Sequence, residues 1–306
     1  MHPLTRSQAA QLGREAVAIA AEGRYRRVDG AVVDIGDAVR RCVASTRVIR
    51  PDDWPAVLRR GREAAPRDAA ARAEVTQETT LAAARRLVEQ ENAARPLVLN
   101  FASAKSPGGG FLGGSRAQEE SLARSSALYA SLQRAGAYYD QNRACGSSLY
   151  TDHAVLSPDV PVFRADDGAP LDRPYAASFL TMPAVNVGAL GRSGEHARVE
   201  PVMAGRVEKV LALAAAEGFD TLSSAPGAAA RSERPAPDRP AVPRRPLRRR
   251  LLGVEVRSDH VRGIHRRHGA RELPGVRRTV CPESGDAETE TLTAADRAES
   301  TGEART

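Results

Sequence analysis

The residues best suited to chemistry lie between positions 108 and 120. Three consecutive glycines, Gly108, Gly109 and Gly110, are followed after a seven-residue spacer by Gln118 and two adjacent carboxylates, Glu119 and Glu120. Glycine accepts positive φ and lets a ligand approach main-chain N–H groups closely. Successive N–H groups in such a loop form an anion nest, and a helix N-terminus behind it adds positive potential. No lysine follows the glycines, as a phosphate-binding NTPase loop would require. Two acids beside a phosphate-cradling loop therefore point to hydrolysis of a phosphorylated sugar, not to phosphoryl transfer. The flanks agree. The apolar run Leu97-Val98-Leu99, ending in Asn100-Phe101, predicts a strand, and the amphipathic pattern after the acids predicts a helix.

The stretch from Leu99 through Gly108-Gly109-Gly110-Phe111, with Gln118-Glu119-Glu120-Ser121-Leu122, resembles the bacterial-type poly(ADP-ribose) glycohydrolases. Their hallmark is a triple glycine, a short spacer and Gln-Glu-Glu on a macrodomain fold. Agreement continues through Ser125 to Tyr129, Leu149 to Asp152, Ser157 to Arg164 and Pro183 to Gly188. The resemblance spans residues 1–222 and implies an α/β fold, a macrodomain-like mixed sheet flanked by helices. Residues 1–90 would form a helical N-terminal extension and 91–222 the catalytic core. The implied activity is hydrolysis of the ribose–ribose O-glycosidic bonds of poly(ADP-ribose), releasing ADP-ribose, with no cofactor and no metal. The implied partner is poly(ADP-ribose) or an ADP-ribosylated protein, and a monomer is expected.

Most glycosidases flank the scissile bond with two carboxylates. Adjacent helical residues point about 100° apart, so Glu119 and Glu120 are not expected to oppose each other across one bond. Following the family, Glu120 would protonate the departing hydroxyl and then activate water, Glu119 would accept hydrogen bonds from ribose hydroxyls, and Gln118 would orient the pair. A protonated Glu120 near neutral pH needs burial and a nearby anion, which the substrate diphosphate could supply. Asn100 either hydrogen-bonds the terminal ribose or caps the strand-to-loop turn. Gly108 opens the cradle, and the N–H groups of Gly109, Gly110 and Phe111 would approach ribose and diphosphate. Tyr138 and Tyr139 either pack on the sheet or stack on adenine. Lys105 is expected to be solvated, His153 structural and Trp54 part of helix packing. Two other activities fit the same residues: a non-catalytic ADP-ribose-binding macrodomain and a mono-ADP-ribosyl hydrolase.

The elements that position these residues are legible along the chain. Ser7 is expected to cap a helix ending at Gly23, Ala31–Ile35 to form a short strand, and Asp37–Thr46 a second helix. Pro51-Asp52-Asp53 opens a helix carrying Trp54, and Thr79 or Thr80 caps another over Leu81–Glu91. One helix is expected from Gln118 to Gln133. Strands are expected at Leu97–Phe101, Val160–Arg164, Ser178–Met182 and from Phe219, with a helix over Glu195–Glu217 that contains Pro201. Helices alternating with strands indicate a mixed or parallel sheet covered on both faces.

After Leu222 the pattern stops. Residues 223–306 contain eight prolines and no aromatic residue, a composition that buries little apolar surface, so this low-complexity tail is expected to be disordered. In the resembled family a glycine-rich turn forms a second phosphate-binding loop here, and this chain has none. A frame change near residue 223 would explain that and would leave this chain inactive; a natural basic tail is the alternative. The tail carries a net +5 of the chain's +7, so residues 1–222 are nearly neutral and no nucleic-acid partner is expected. Only Lys105 and Lys209 are lysines among 45 basic residues, a skew of high-GC codon usage. Three cysteines share no metal-like spacing. No apolar run approaches the roughly 18 residues that span a bilayer, and residues 1–14 hold no secretory core, so a cytoplasmic protein without a membrane partner is expected.

Overall fold

All seven residues of strand β5 (Pro96–Ala102) are buried, and this strand places the candidate site. A computed structural model describes residues 4–64, 73–190, 194–224 and 255–257. β5 pairs in parallel with β7 (Pro170–Pro183) on one side and β8 (Thr221–Ser224) on the other. β6 (Ala154–Arg164) runs antiparallel to β7, and β3 (Arg47–Ile49) antiparallel to β6. Beyond β8 lie β9 (Glu255–Arg257) and β4 (Ala73–Glu74), giving the order β3-β6-β7-β5-β8-β9-β4. A separate hairpin joins β1 (Arg24–Arg26) to β2 (Val32–Asp34).

Side chains alternate across a strand. Leu97, Leu99 and Phe101 therefore meet Trp54 and Val57 of α3 (Trp54–Ala64) and Val210, Leu211 and Leu213 of α8 (His196–Ala216). Val98 faces the other layer, which holds α1 (Arg6–Glu22), α2 (Gly36–Ser45), α4 (Thr80–Glu89), α5 (Gln118–Ser125), α6 (Leu128–Leu132) and α7 (Gly136–Ala144). Ala16, Val39, Leu81, Leu122 and Tyr138 close that core. Each fully buried leucine or valine contributes about 1.5–3 kcal/mol. Asn100 shares the face of Val98, which aims its amide at the layer of α5 and α7. Residues before position 90 thus supply both edge strands of the main sheet, β3 and β4, as well as helices.

The α/β class and the mixed sheet covered by helices agree with the sequence expectation. Several boundaries do not. Thr5, not Ser7, caps α1, in a capping box with Gln8. The expected helix over Gln118–Gln133 is two helices. Ser126 is extended, bridges to Val162, and accepts a hydrogen bond from Leu128 N; it ends α5, and α6 starts after Ala127. β6 and β7 extend beyond the predicted spans. The expectation for the tail lies outside the described residues, apart from Ser223-Ser224 in β8 and the short strand β9. No helix among the described residues is long and apolar enough to cross a membrane.

Candidate active site

In a parallel sheet, ligands bind outside the C-terminal ends of the strands. β5 and β7 end together at Ala102 and Pro183, and the glycine-rich loop leaves β5 there. The loop is held by its own residues: Ser103 Oγ accepts from the N–H groups of Lys105 and Ser106 at 3.2 and 3.1 Å, and Gly109 N donates to Ser106 O at 3.1 Å. Gly108 and Gly109 have φ of 66° and 57°, a turn that favours glycine.

The two glutamates reach back from the first turn of α5 to this loop. Glu119 Oε2 accepts from Ser103 N at 2.7 Å, and Glu120 Oε1 accepts from Gly110 N at 3.0 Å. A β-carbon placed on Gly109 would lie 2.4 Å from Glu120 Oε1 and 3.1 Å from Glu119 Oε2. Both carboxylates therefore converge on Gly109 despite their different helical directions. Each keeps its other oxygen, Glu119 Oε1 and Glu120 Oε2, buried without a hydrogen-bond partner. Asn100 donates to Thr181 Oγ1 on β7 at 3.1 Å, and its Oδ1 is likewise buried and unpartnered. These three acceptors suit sugar hydroxyls, which donate.

Burial pushes the Glu119 carboxyl up to about 8; the Ser103 N–H opposes the shift, the charge of Glu120 adds to it, and the Gly108 N–H opposes it. Burial also raises the hydroxyls of Tyr138 and Tyr139, each further raised by the charge of Glu119, so both stay neutral. Their rings meet edge to face at 4.8 Å, fully inside the core, and both hydroxyls are unpartnered. Packing on the sheet, the first of the two expected roles, is what this burial gives.

Other predicted residues behave differently. Gln118 makes no hydrogen bond to the glutamates; it staples α5 to the strand, accepting from Phe101 N at 3.3 Å and donating to Leu99 O and Thr80 Oγ1 at 3.0 Å. Phe111 is buried as a side chain, packed at 4.8 Å on Tyr129, and its N–H bonds to Gly108 O. The N–H groups of Gly109, Gly110 and Phe111 are thus engaged within the site itself, on Ser106 O, Glu120 Oε1 and Gly108 O. Lys105 is exposed, and half-buried His153 bonds through Nδ1 to Thr151 Oγ1 at 2.9 Å. Trp54 is buried and donates to Asp152 O at 2.8 Å. Among the described residues no three or more His, Cys, Asp or Glu gather as a metal site.

The family model described as "Microbial-type PARG, catalytic domain" matches residues 13–165, half of the chain. The chain belongs to this family of microbial-type poly(ADP-ribose) glycohydrolases. Among solved structures, the PARG of Thermomonospora curvata is 43% identical with a TM-score of 0.66, covering 71% of this chain and 79% of that one. A second structure of that enzyme is bound to the inhibitor ADP-HPD, at 43% identity and a TM-score of 0.65, over 71% of this chain and 78% of that one. The PARG of Deinococcus radiodurans in complex with ADP-ribose is 39% identical with a TM-score of 0.58, over 63% of this chain and 77% of that one. No curated protein matches.

Four residues near the site that sequence reasoning did not single out make contacts that only the fold reveals. Ser103 holds Glu119 through its N–H, and Thr181 holds Asn100 from the paired position on β7. Arg124, one turn beyond the acids, donates to Ser115 O at 2.5 Å and to Ser121 Oγ at 3.2 Å. Arg206, 1% exposed, pairs with Asp152 and donates to the carbonyls of Leu149, Tyr150, Thr151 and Pro183. Only the position of Arg124 beside the acids carried a signal in the sequence.

Proposed function

We propose that this protein hydrolyses the ribose–ribose O-glycosidic bonds of poly(ADP-ribose) and releases ADP-ribose, with Glu120 as general acid and base and Glu119 fixing the ribose. The observation that carries the assignment is the convergence of both buried carboxylates on Gly109, each with one oxygen held by a loop N–H and one unpartnered. Held this way, the pair presents its remaining oxygens without the entropy of a freely rotating side chain, the preorganisation that proton transfer rewards. Glu119, with its pKa pushed up to about 8, can donate a proton to a sugar oxygen as well as accept from a hydroxyl. Asn100 Oδ1 is the third acceptor for the terminal ribose. Glu120→Gln keeps the shape and removes the titrating group. ADP-ribose release should fall by about 100-fold or more, with ADP-ribose affinity by calorimetry near that of the parent. Near-parent hydrolysis by this variant would remove Glu120 from the role.

One observation favours a second reading, a member of the family left inactive because its second phosphate-binding loop is missing. β8 ends level with Leu99, and the sequence that follows it, Ala225-Pro226-Gly227-Ala228, is not that of a glycine-rich phosphate turn. A translational frame change near residue 223 accounts for this. One of the other two reading frames of the gene should then encode a glycine-rich turn directly after Leu222, followed by an amphipathic helix. If neither frame does so, the tail is a genuine part of the protein.

A further inference from the structure

We propose that helix α1 is a positioning element of the active centre, its first turns clasping residues 110–116 so that the loop stays in register with the glutamates of α5. The proposal rests on the reading of the site given under Proposed function. The clasp works in both directions. Arg6 Nε on the helix donates to Gly113 O at 2.9 Å, and Arg116 Nη1 on the loop donates to Leu4 O at 2.6 Å. Between these bonds the two backbones touch. A β-carbon on Gly114, at φ 81°, would stand 2.1 Å from Arg6 O, so glycine alone permits the approach. Two turns further along α1, Gly13 leaves room for Phe111: a β-carbon there would lie 3.0 Å from Phe111 O and 3.1 Å from its ring. Phe111 is thereby wedged between Gly13 and Tyr129.

The opposite side of the same loop is held by α5, through Arg124 on Ser115 O and Glu120 on Gly110 N. Buried Arg164 closes the circuit. Its Nη1 donates to Leu12 O at 2.8 Å and to Arg124 O at 3.3 Å, and its Nη2 pairs with Glu15 at 2.7 Å. Helix, loop and catalytic helix therefore form one bonded ring, and movement of α1 is transmitted to the N–H that holds Glu120. Leu4 and Arg6 precede residue 13, where the family match begins, so these bonds are supplied by residues outside the matched segment.

The test uses the full chain. The double variant Arg6→Ala/Arg116→Ala removes two exposed donors and no core atom, so thermal unfolding should stay close to the parent's. Hydrogen exchange of the amides of residues 110–115 should quicken by about tenfold while α8 is unchanged. Turnover should fall by about tenfold or more through kcat, because a displacement of about 1 Å at a reacting centre costs on the order of 100-fold. Arg6→Lys/Arg116→Lys, which keeps donors, should recover part of it. Gly13→Ala separates positioning from stability: alanine strengthens the helix yet presses on Phe111. A positioning role predicts faster loop exchange and a lower kcat in a protein that still folds; a merely structural role predicts unchanged turnover. The proposal is overturned if loop exchange is unchanged in both variants, or if it quickens with turnover intact. If the parent itself neither binds ADP-ribose nor hydrolyses the polymer, the functional reading fails, and loop exchange alone still decides whether α1 holds the loop.

Discussion

Gly109→Ala places one methyl group where both glutamates converge, and its effect can be worked through from the geometry. Gly109 sits at φ 57°, a left-handed conformation that costs a non-glycine residue about 1–2 kcal/mol. The new β-carbon would start 2.4 Å from Glu120 Oε1, where ordinary contact begins near 3.4 Å, so that carboxylate must retreat by about 1 Å. Retreat breaks its 3.0 Å hydrogen bond from Gly110 N. Losing that bond adds about 1–2 kcal/mol, for a total near 2–4 kcal/mol. In a domain of this size the unfolding midpoint should drop by about 5–10 °C. Turnover should suffer more, because a misplacement of about 1 Å costs on the order of 100-fold. The assay is release of ADP-ribose from poly(ADP-ribose), run beside a thermal melt. Gly113→Ala is the control: its β-carbon would meet nothing within 4 Å, and its φ is not positive. Gly113→Ala should match the parent in both readouts. If Gly109→Ala hydrolyses the polymer at near the parent rate, the loop does not register Glu120 and the reasoning is wrong.

Glu119 makes a pH prediction. Its folded pKa of about 8 exceeds the ordinary 4.5, so between these values the folded protein holds a proton that the unfolded chain releases, and stability falls as pH rises through that window. Glu119→Gln abolishes the titration; its melting temperature should gain steadily on the parent's across the window, and parallel curves would show that Glu119 is not the buried acid. Gln118→Ala removes the staple on Phe101 N, Leu99 O and Thr80 Oγ1. It should cost about 1–3 kcal/mol in denaturant unfolding, with an unchanged m-value, and a loss below about 0.5 kcal/mol would mean that water replaces the staple.

The strand–loop–helix unit was legible because its parts obey local rules. An apolar run as long as Leu97 to Phe101, a glycine cluster and an acidic helix start each carry their own signal. β1, β3 and β4 were not legible: three or fewer residues carry almost no alternation, and such strands form through the partners they pair with. The break at Ser126 was missed for a related reason. Its neighbours keep helical periodicity, and only the bridge to Val162, a tertiary contact, pulls it into extended form. Within the site, residue types pointed to Glu119, Glu120 and Asn100. The work assigned to Gln118 was misplaced, because an amide next to two acids suggests contact with them, whereas the fold turns it toward the strand. Which carboxyl is raised depends on desolvation, a property of the folded layer that residue spacing does not encode.

The position of β5 in the sheet has a consequence for synthesis. Both of its neighbours, β7 and β8, follow it in the chain, the first beginning at Pro170 and the second at Thr221. At about 5–20 residues per second, a ribosome delivers them roughly 3–25 s after β5 has emerged. For that interval a strand of seven residues that the finished protein buries completely has no hydrogen-bond partner on either side. Parallel pairing cannot be started locally by a hairpin, so the nascent chain must carry this apolar segment exposed or shielded only by the helices already made, α3, α4 and α5 among them. Translational pausing before Pro170 would lengthen the exposure, and codon usage between residues 103 and 170 therefore acts on the yield of folded protein without changing a single side chain.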